Sequence, residues 1–87
     1  MTARPDPQPN ITACPLDDEL VLYELTRGQA YVLNATAAQI WRWCDGRRSV
    51  TAIAHALAAA HGLPNRQALA DVRACLAALQ EAGLLRP

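Results

Sequence analysis

Residues 19–44 read ELVLYELTRGQAYVLNATAAQIWRWC, and within them the chain changes its periodicity. Glu19 to Leu25 is rich in β-forming side chains with near alternation, which predicts a strand. Thr26-Arg27-Gly28 supplies a turn with a permissive glycine, and Gln29 to Leu33 returns as a second strand. Asn34 then offers a helix N-cap, with Thr36 and Gln39 as an alternative capping box. The helix that follows runs from Ala35 to Cys44, with Ala37, Ile40, Trp41 and Cys44 on one stripe.

Outward from this stretch the same rules apply. A lone hairpin is marginal, and Ile11 to Cys14 can add a short edge strand before Pro15. Pro5, Pro7 and Pro9 predict an extended, poorly ordered arm over residues 1–10. Downstream, Ser49 caps a second helix, Val50–His61, with Val50, Ile53, Ala54 and Leu57 as its seam and Gly62 at its C-cap. After Pro64, Asn65 is expected to cap a third helix, Arg66–Ala82, ended by Gly83. Leu69, Val72, Leu76 and Leu79 form its core-facing stripe, and Leu84 and Leu85 fold back beyond the cap. The expected class is α+β and winged helix-turn-helix-like. A two- or three-stranded antiparallel sheet precedes three helices in one domain, residues 11–87.

Composition narrows the function. The chain has 87 residues, with 8 Lys+Arg against 8 Asp+Glu, so one modest core and no second domain are expected. The balanced charge argues against a dedicated nucleic-acid binder. No apolar run approaches a membrane span, and the proline-rich start lacks the apolar segment of a secretory signal, so a cytoplasmic location is expected. Cys14, Cys44 and Cys75 are spaced by about thirty residues, unlike the close pairs of zinc sites, and read as reduced thiols with mainly packing roles. His55 and His61 lie six residues apart, too far to share a helix face as ligands. With no nucleophile–His–acid arrangement and no phosphate-binding glycine loop, we expect no catalytic residues, metal or cofactor, and therefore no enzyme.

Trp41 and Trp43 sit about 200° apart on a helix. Two readings stand: Trp43 is exposed for contact with a partner or second copy, or it is half-buried over the neighbouring turn. On the third helix the face away from Leu76 and Leu79 carries Arg66, Ala70, Arg73, Ala74, Ala77 and Glu81. It is either a solvated face or a surface where small alanines admit a peptide backbone while an arginine pairs with its carboxylate.

The ordered set Leu33-Asn34-Ala35-Thr36-Ala37-Ala38-Gln39-Ile40, Cys44-Asp45-Gly46 and Ser49-Val50 resembles the PqqD-like family. So does the ending Asp71-Val72, Leu76, Leu79, Gly83-Leu84-Leu85. The resemblance spans residues 19–85 and implies a non-catalytic recognition element, or peptide chaperone, for ribosomally made, post-translationally modified peptides. Such domains bind the leader of a precursor peptide and present it to a modifying enzyme, often a radical SAM protein, in natural-product or pyrroloquinoline quinone-type biosynthesis. Carried onto this chain, the leader adds as a strand beside Gln29, Ala30, Tyr31, Val32 and Leu33, against the helix bearing Arg66, Ala70, Arg73, Ala74 and Ala77. Two other classes compete. One is a structural or oligomerisation module, since a free strand edge also pairs with a second copy to form a homodimer. The other is a DNA-binding winged helix, whose reading face would mix Arg66 and Arg73 with Asp71 and Glu81.

Overall fold

In the computed structural model, which describes residues 4–86, three strands precede three helices. These are β1 (Ile11–Leu16), β2 (Glu19–Glu24), β3 (Gln29–Leu33), α1 (Ala35–Trp43), α2 (Val50–His61) and α3 (Asn65–Glu81). Residues 1–3 of the expected arm and residue 87 of the expected domain lie outside the described part. The strands form one antiparallel sheet in the order β1-β2-β3. The α+β class and the element order match the expectation.

Alternation sets the faces of the sheet. Leu20, Leu22 and Glu24 of β2 and Leu33 of β3 are buried on one face. The three leucines meet Ile40 and Trp41 of α1, Ile53 and Leu57 of α2, Val72 and Leu79 of α3, and Leu84 and Leu85 in a single cluster. β1 runs two residues further than expected, through Pro15. Proline is tolerated there because β1 is an edge strand, where an amide N–H can be absent without breaking a ladder bond.

The caps follow sequence chemistry with one exception. Asn34 Oδ1 accepts the Ala37 N–H at 2.9 Å, and Ser49 Oγ accepts that of Ala52 at 3.1 Å. Gln39 is not used in a capping box; its Oε1 instead lies 2.8 Å from His61 Nε2, tying α1 to the end of α2. Asn65 was expected to cap the third helix, yet it is that helix's first residue, and Pro64 occupies the cap with no side-chain bond. Proline already holds φ at −59° there, and its carbonyl accepts the Ala68 N–H at 3.0 Å, so the helix begins without a polar cap.

Of the arm expected to be extended and poorly ordered, residues 5–8 are tied down and residues 9–10 form a turn. Gln8 N donates to Leu84 O at 3.0 Å, Arg86 N to Asp6 O at 2.8 Å and Gly46 N to Pro5 O at 2.8 Å. Pro7 and Leu85 form an antiparallel bridge, and Asp6 pairs with Arg86 at 3.2 Å. Prolines remove competing amide donors from this segment without preventing its carbonyls from accepting bonds.

Candidate functional site

Among the described residues, β3 is bonded to β2 on one side only. Its other edge leaves backbone N–H and C=O groups that an extended chain can satisfy. Among the described residues, no Cα of β3 lies within 8 Å of a Cα of α3. α3 packs instead on α2 and α1, and Tyr31 of β3 reaches the Ala82 carbonyl just past the end of α3.

The side chains of β3 divide as the pleat requires. Gln29, Ala30 and Val32 are exposed, Tyr31 is half-buried and Leu33 is in the core. Leu33 can therefore offer an incoming strand only its backbone. Tyr31 sits on the core side, and its hydroxyl donates to Gln29 Oε1 at 2.6 Å while lying 3.5 Å from the carbonyl oxygen of Ala82.

That carbonyl, at the C-cap of α3, is also held by the hairpin. Arg27 Nη2 donates to Ala82 O at 3.0 Å, and Arg27 Nε donates to Glu24 Oε2 at 2.9 Å. Glu24 is the only buried charged residue among the described ones, 3% exposed. Its oxygens also accept the backbone N–H groups of Thr26 at 2.7 Å and Arg27 at 2.9 Å, and a bond from Asn10 Nδ2. Burial pushes the Glu24 carboxyl upward, but the Arg27 side chain, the two backbone donors and the guanidinium charge outweigh it, leaving its pKa below the usual value. Gly83 completes the joint. Its φ is +77°, and a Cβ there would stand 2.7 Å from Arg27 Nη2. The hairpin and the C-terminal end of α3 are thus joined by a clasp of Glu24, Arg27, Tyr31 and the Ala82 carbonyl.

On α3, Arg66, Ala70, Arg73, Ala74, Ala77 and Glu81 are all exposed. At 100° per residue they form one stripe about 180° from the buried Ala68, Val72 and Leu79. The structure therefore gathers these residues but points the stripe's centre away from the core. Beside it lie half-buried apolar groups, Leu69 and Leu76 on one flank and Cys75 on the other. The sequence assigned Leu69 and Leu76 wholly to the core. Periodicity marks the apolar side of a helix but not which positions at its margin stay open to solvent.

Remaining expectations resolve simply. Trp41 is buried and Trp43 is half-buried against the core, so the exposed-Trp43 reading gives way to the covering one. Trp43 is the last residue of its helix. Burial, then the nearby Cys75 and Asp45, push the Cys44 thiol up to about 12. Cys14 is exposed and Cys75 intermediate.

Three comparisons bear on this geometry. A family model described as coenzyme PQQ synthesis protein D (PqqD) matches residues 19–85. No curated protein matches the chain in sequence. Among solved structures, "TbiB1 in Complex with the TbiA(beta) Leader Peptide" is 26% identical over 93% of this chain and 94% of that chain, with a TM-score of 0.85. "Lasso peptide synthetase B1 complexed with the leader peptide" is 27% identical over 98% of this chain and 100% of that chain, with a TM-score of 0.87.

Proposed function

Because this chain belongs to the PqqD family, we propose that it is a non-catalytic recognition element for the leader of a ribosomally made precursor peptide. The leader adds antiparallel or parallel to the free edge of β3 as a fourth strand, about 4.8 Å from it, with α3 behind. Backbone bonds from residues 29–33 supply affinity. Tyr31, the apolar margins of α3 and one of Arg66 or Arg73 supply selectivity, with Ala70, Ala74 and Ala77 leaving room for the peptide. The bound precursor is then presented to a modifying enzyme such as a radical SAM protein.

The observation that carries this reading is that both similar solved structures, at 26% and 27% identity over nearly the whole chain, are leader-peptide complexes. The edge of β3 that no described strand pairs with agrees with it. NMR titration of the chain with the leader of a precursor encoded beside it tests the proposal. Amide shifts concentrated in residues 29–33 and along α3, with a micromolar or tighter constant, are expected. Leaders from all neighbouring precursors leaving those amides unmoved would overturn it.

A further inference from the structure

The large apolar side chains that remain exposed among the described residues are Leu16 (57%), Tyr23 (43%), Leu25 (64%) and Val32 (64%). The strand register places them together. Thr12 is paired with Tyr23 and Cys14 with Val21, while Tyr23 is paired with Ala30 and Val21 with Val32. Two cross-strand rows, Thr12–Tyr23–Ala30 and Cys14–Val21–Val32, therefore lie on the face opposite Leu20, Leu22 and Leu33. Leu16, opposite Glu19, and Leu25, just past β2, continue that face at either end. Among the described residues no helix covers it: α1 lies against the other side, where buried side chains of all three helices share one cluster with Leu20, Leu22 and Leu33.

Charge on this face is one-sided. Asp17 and Asp18 form the β1–β2 turn and Glu19 follows them, so three acids border the apolar rows at one end. Over residues 11–33 the only cation is Arg27, and it is engaged with Glu24 and the Ala82 carbonyl. A second copy of this chain would bring the same uncompensated acids to the contact. It would also bury only roughly 300 Å² on each side, from three strands of five or six residues, against about 800 Å² per partner in a standard stable interface. A heterologous partner with apolar side chains bordered by Lys or Arg fits better on charge, and a small contact suits a transient encounter.

We propose that the outer face of the sheet, centred on Leu16, Val21, Tyr23 and Val32 with Asp18 and Glu19 at its rim, docks an apolar, base-bordered surface of the enzyme that modifies the peptide. The identity of this occupant rests on the recognition role proposed above. β3 links the two sites: its backbone edge takes the leader, while Ala30 and Val32 belong to the outer face. An enzyme seated there lies next to the peptide as it leaves the edge, and shared possession of the precursor raises the effective concentration of an otherwise weak contact.

The test uses the purified chain, the leader and the purified peptide-modifying enzyme encoded beside it. The variants are L16S/Y23S, on β1 and β2 away from the leader edge, and D18K/E19K at the rim. Both are expected to bind leader within about twofold of wild type, which also shows that they fold. Enzyme affinity is expected to fall about tenfold or more in each, wild-type binding to weaken with added salt, and alkylation of exposed Cys14 to slow in the complex. Unchanged enzyme affinity in both variants, or no enzyme binding by wild type, would overturn the proposal. So would a wild-type dimer that L16S/Y23S converts to monomer, since a second copy would then occupy the face. Failure of the leader itself to bind wild type would instead strike the recognition role, while the variant affinities would still decide the docking face.

Discussion

Glu24 shows how one carboxylate organises a turn. Four donors from Asn10, Thr26 and Arg27 converge on its two oxygens, and the same Arg27 reaches across to α3. Its pKa is lower in the folded chain than the usual value, so its ionised form favours folding. That contribution is complete above the unfolded carboxyl pKa, about 4.3, and disappears as pH falls through the lower folded value. E24Q should therefore lower stability at pH 7 and flatten the acid limb of the stability profile, read by urea unfolding from pH 7 to pH 3. Parallel profiles for the two proteins would show that the carboxylate charge is not what holds the turn. The thiols give a second check at this scale. At pH 8 iodoacetamide should modify exposed Cys14 first and Cys44 last, since burial chiefly holds Cys44 near 12; intact-mass spectra resolve the order.

At the scale of elements, the parts legible in sequence are those governed by local chemistry. β3 and α2 have the bounds expected from alternation, the Ser49 cap and Gly62, whose φ is +63°. Asn34 caps α1 through its own side chain, and N34A should cost about 1 kcal/mol in chemical denaturation. What sequence could not show depends on partners distant along the chain. Pro15 stays in a strand because β1 is an edge, and Leu69 and Leu76 remain half-open because of where α3 meets its neighbours. The stripe from Arg66 to Glu81 was legible as a face, but its direction relative to β3 was not. Gly83 joins the two kinds of information. Its place after α3 signals a helix end, yet only the fold shows the Arg27 guanidinium against it. G83A should destabilise by roughly 1–2 kcal/mol from the left-handed backbone alone. If the clasp sets the spacing of β3 and α3, it should also weaken leader binding at temperatures where the variant is fully folded.

For the molecule as a whole, a single cluster joins the sheet to all three helices. Leu57 is fully buried within it. L57A should remove roughly 2–5 kcal/mol, a large share of the about 5–15 kcal/mol typical of a domain, and calorimetry should show a much lower transition or none. By contrast L16S/Y23S, on the uncovered face, should leave the transition nearly where it is. Stability thus resides in the cluster shared by the sheet's inner face and the helices, while the sheet's free edge and outer face remain available for contacts.

The ribbon formed by residues 6–8 and 84–86 has a mechanical consequence. Asp6 lies opposite Arg86 at its outer end, and Gln8 opposite Leu84 further in. Tension applied at residues 4 and 86 therefore pulls this ribbon open like a zipper, loading its bonds in succession instead of shearing them together. The Gly46–Pro5 bond and the Asp6–Arg86 pair yield first and the Gln8–Leu84 bond next, before force reaches the core. In a force-extension trace the first event should be a short, low-force lengthening separate from the main rupture, and a tether fused to either end would meet a compliant attachment before a rigid body.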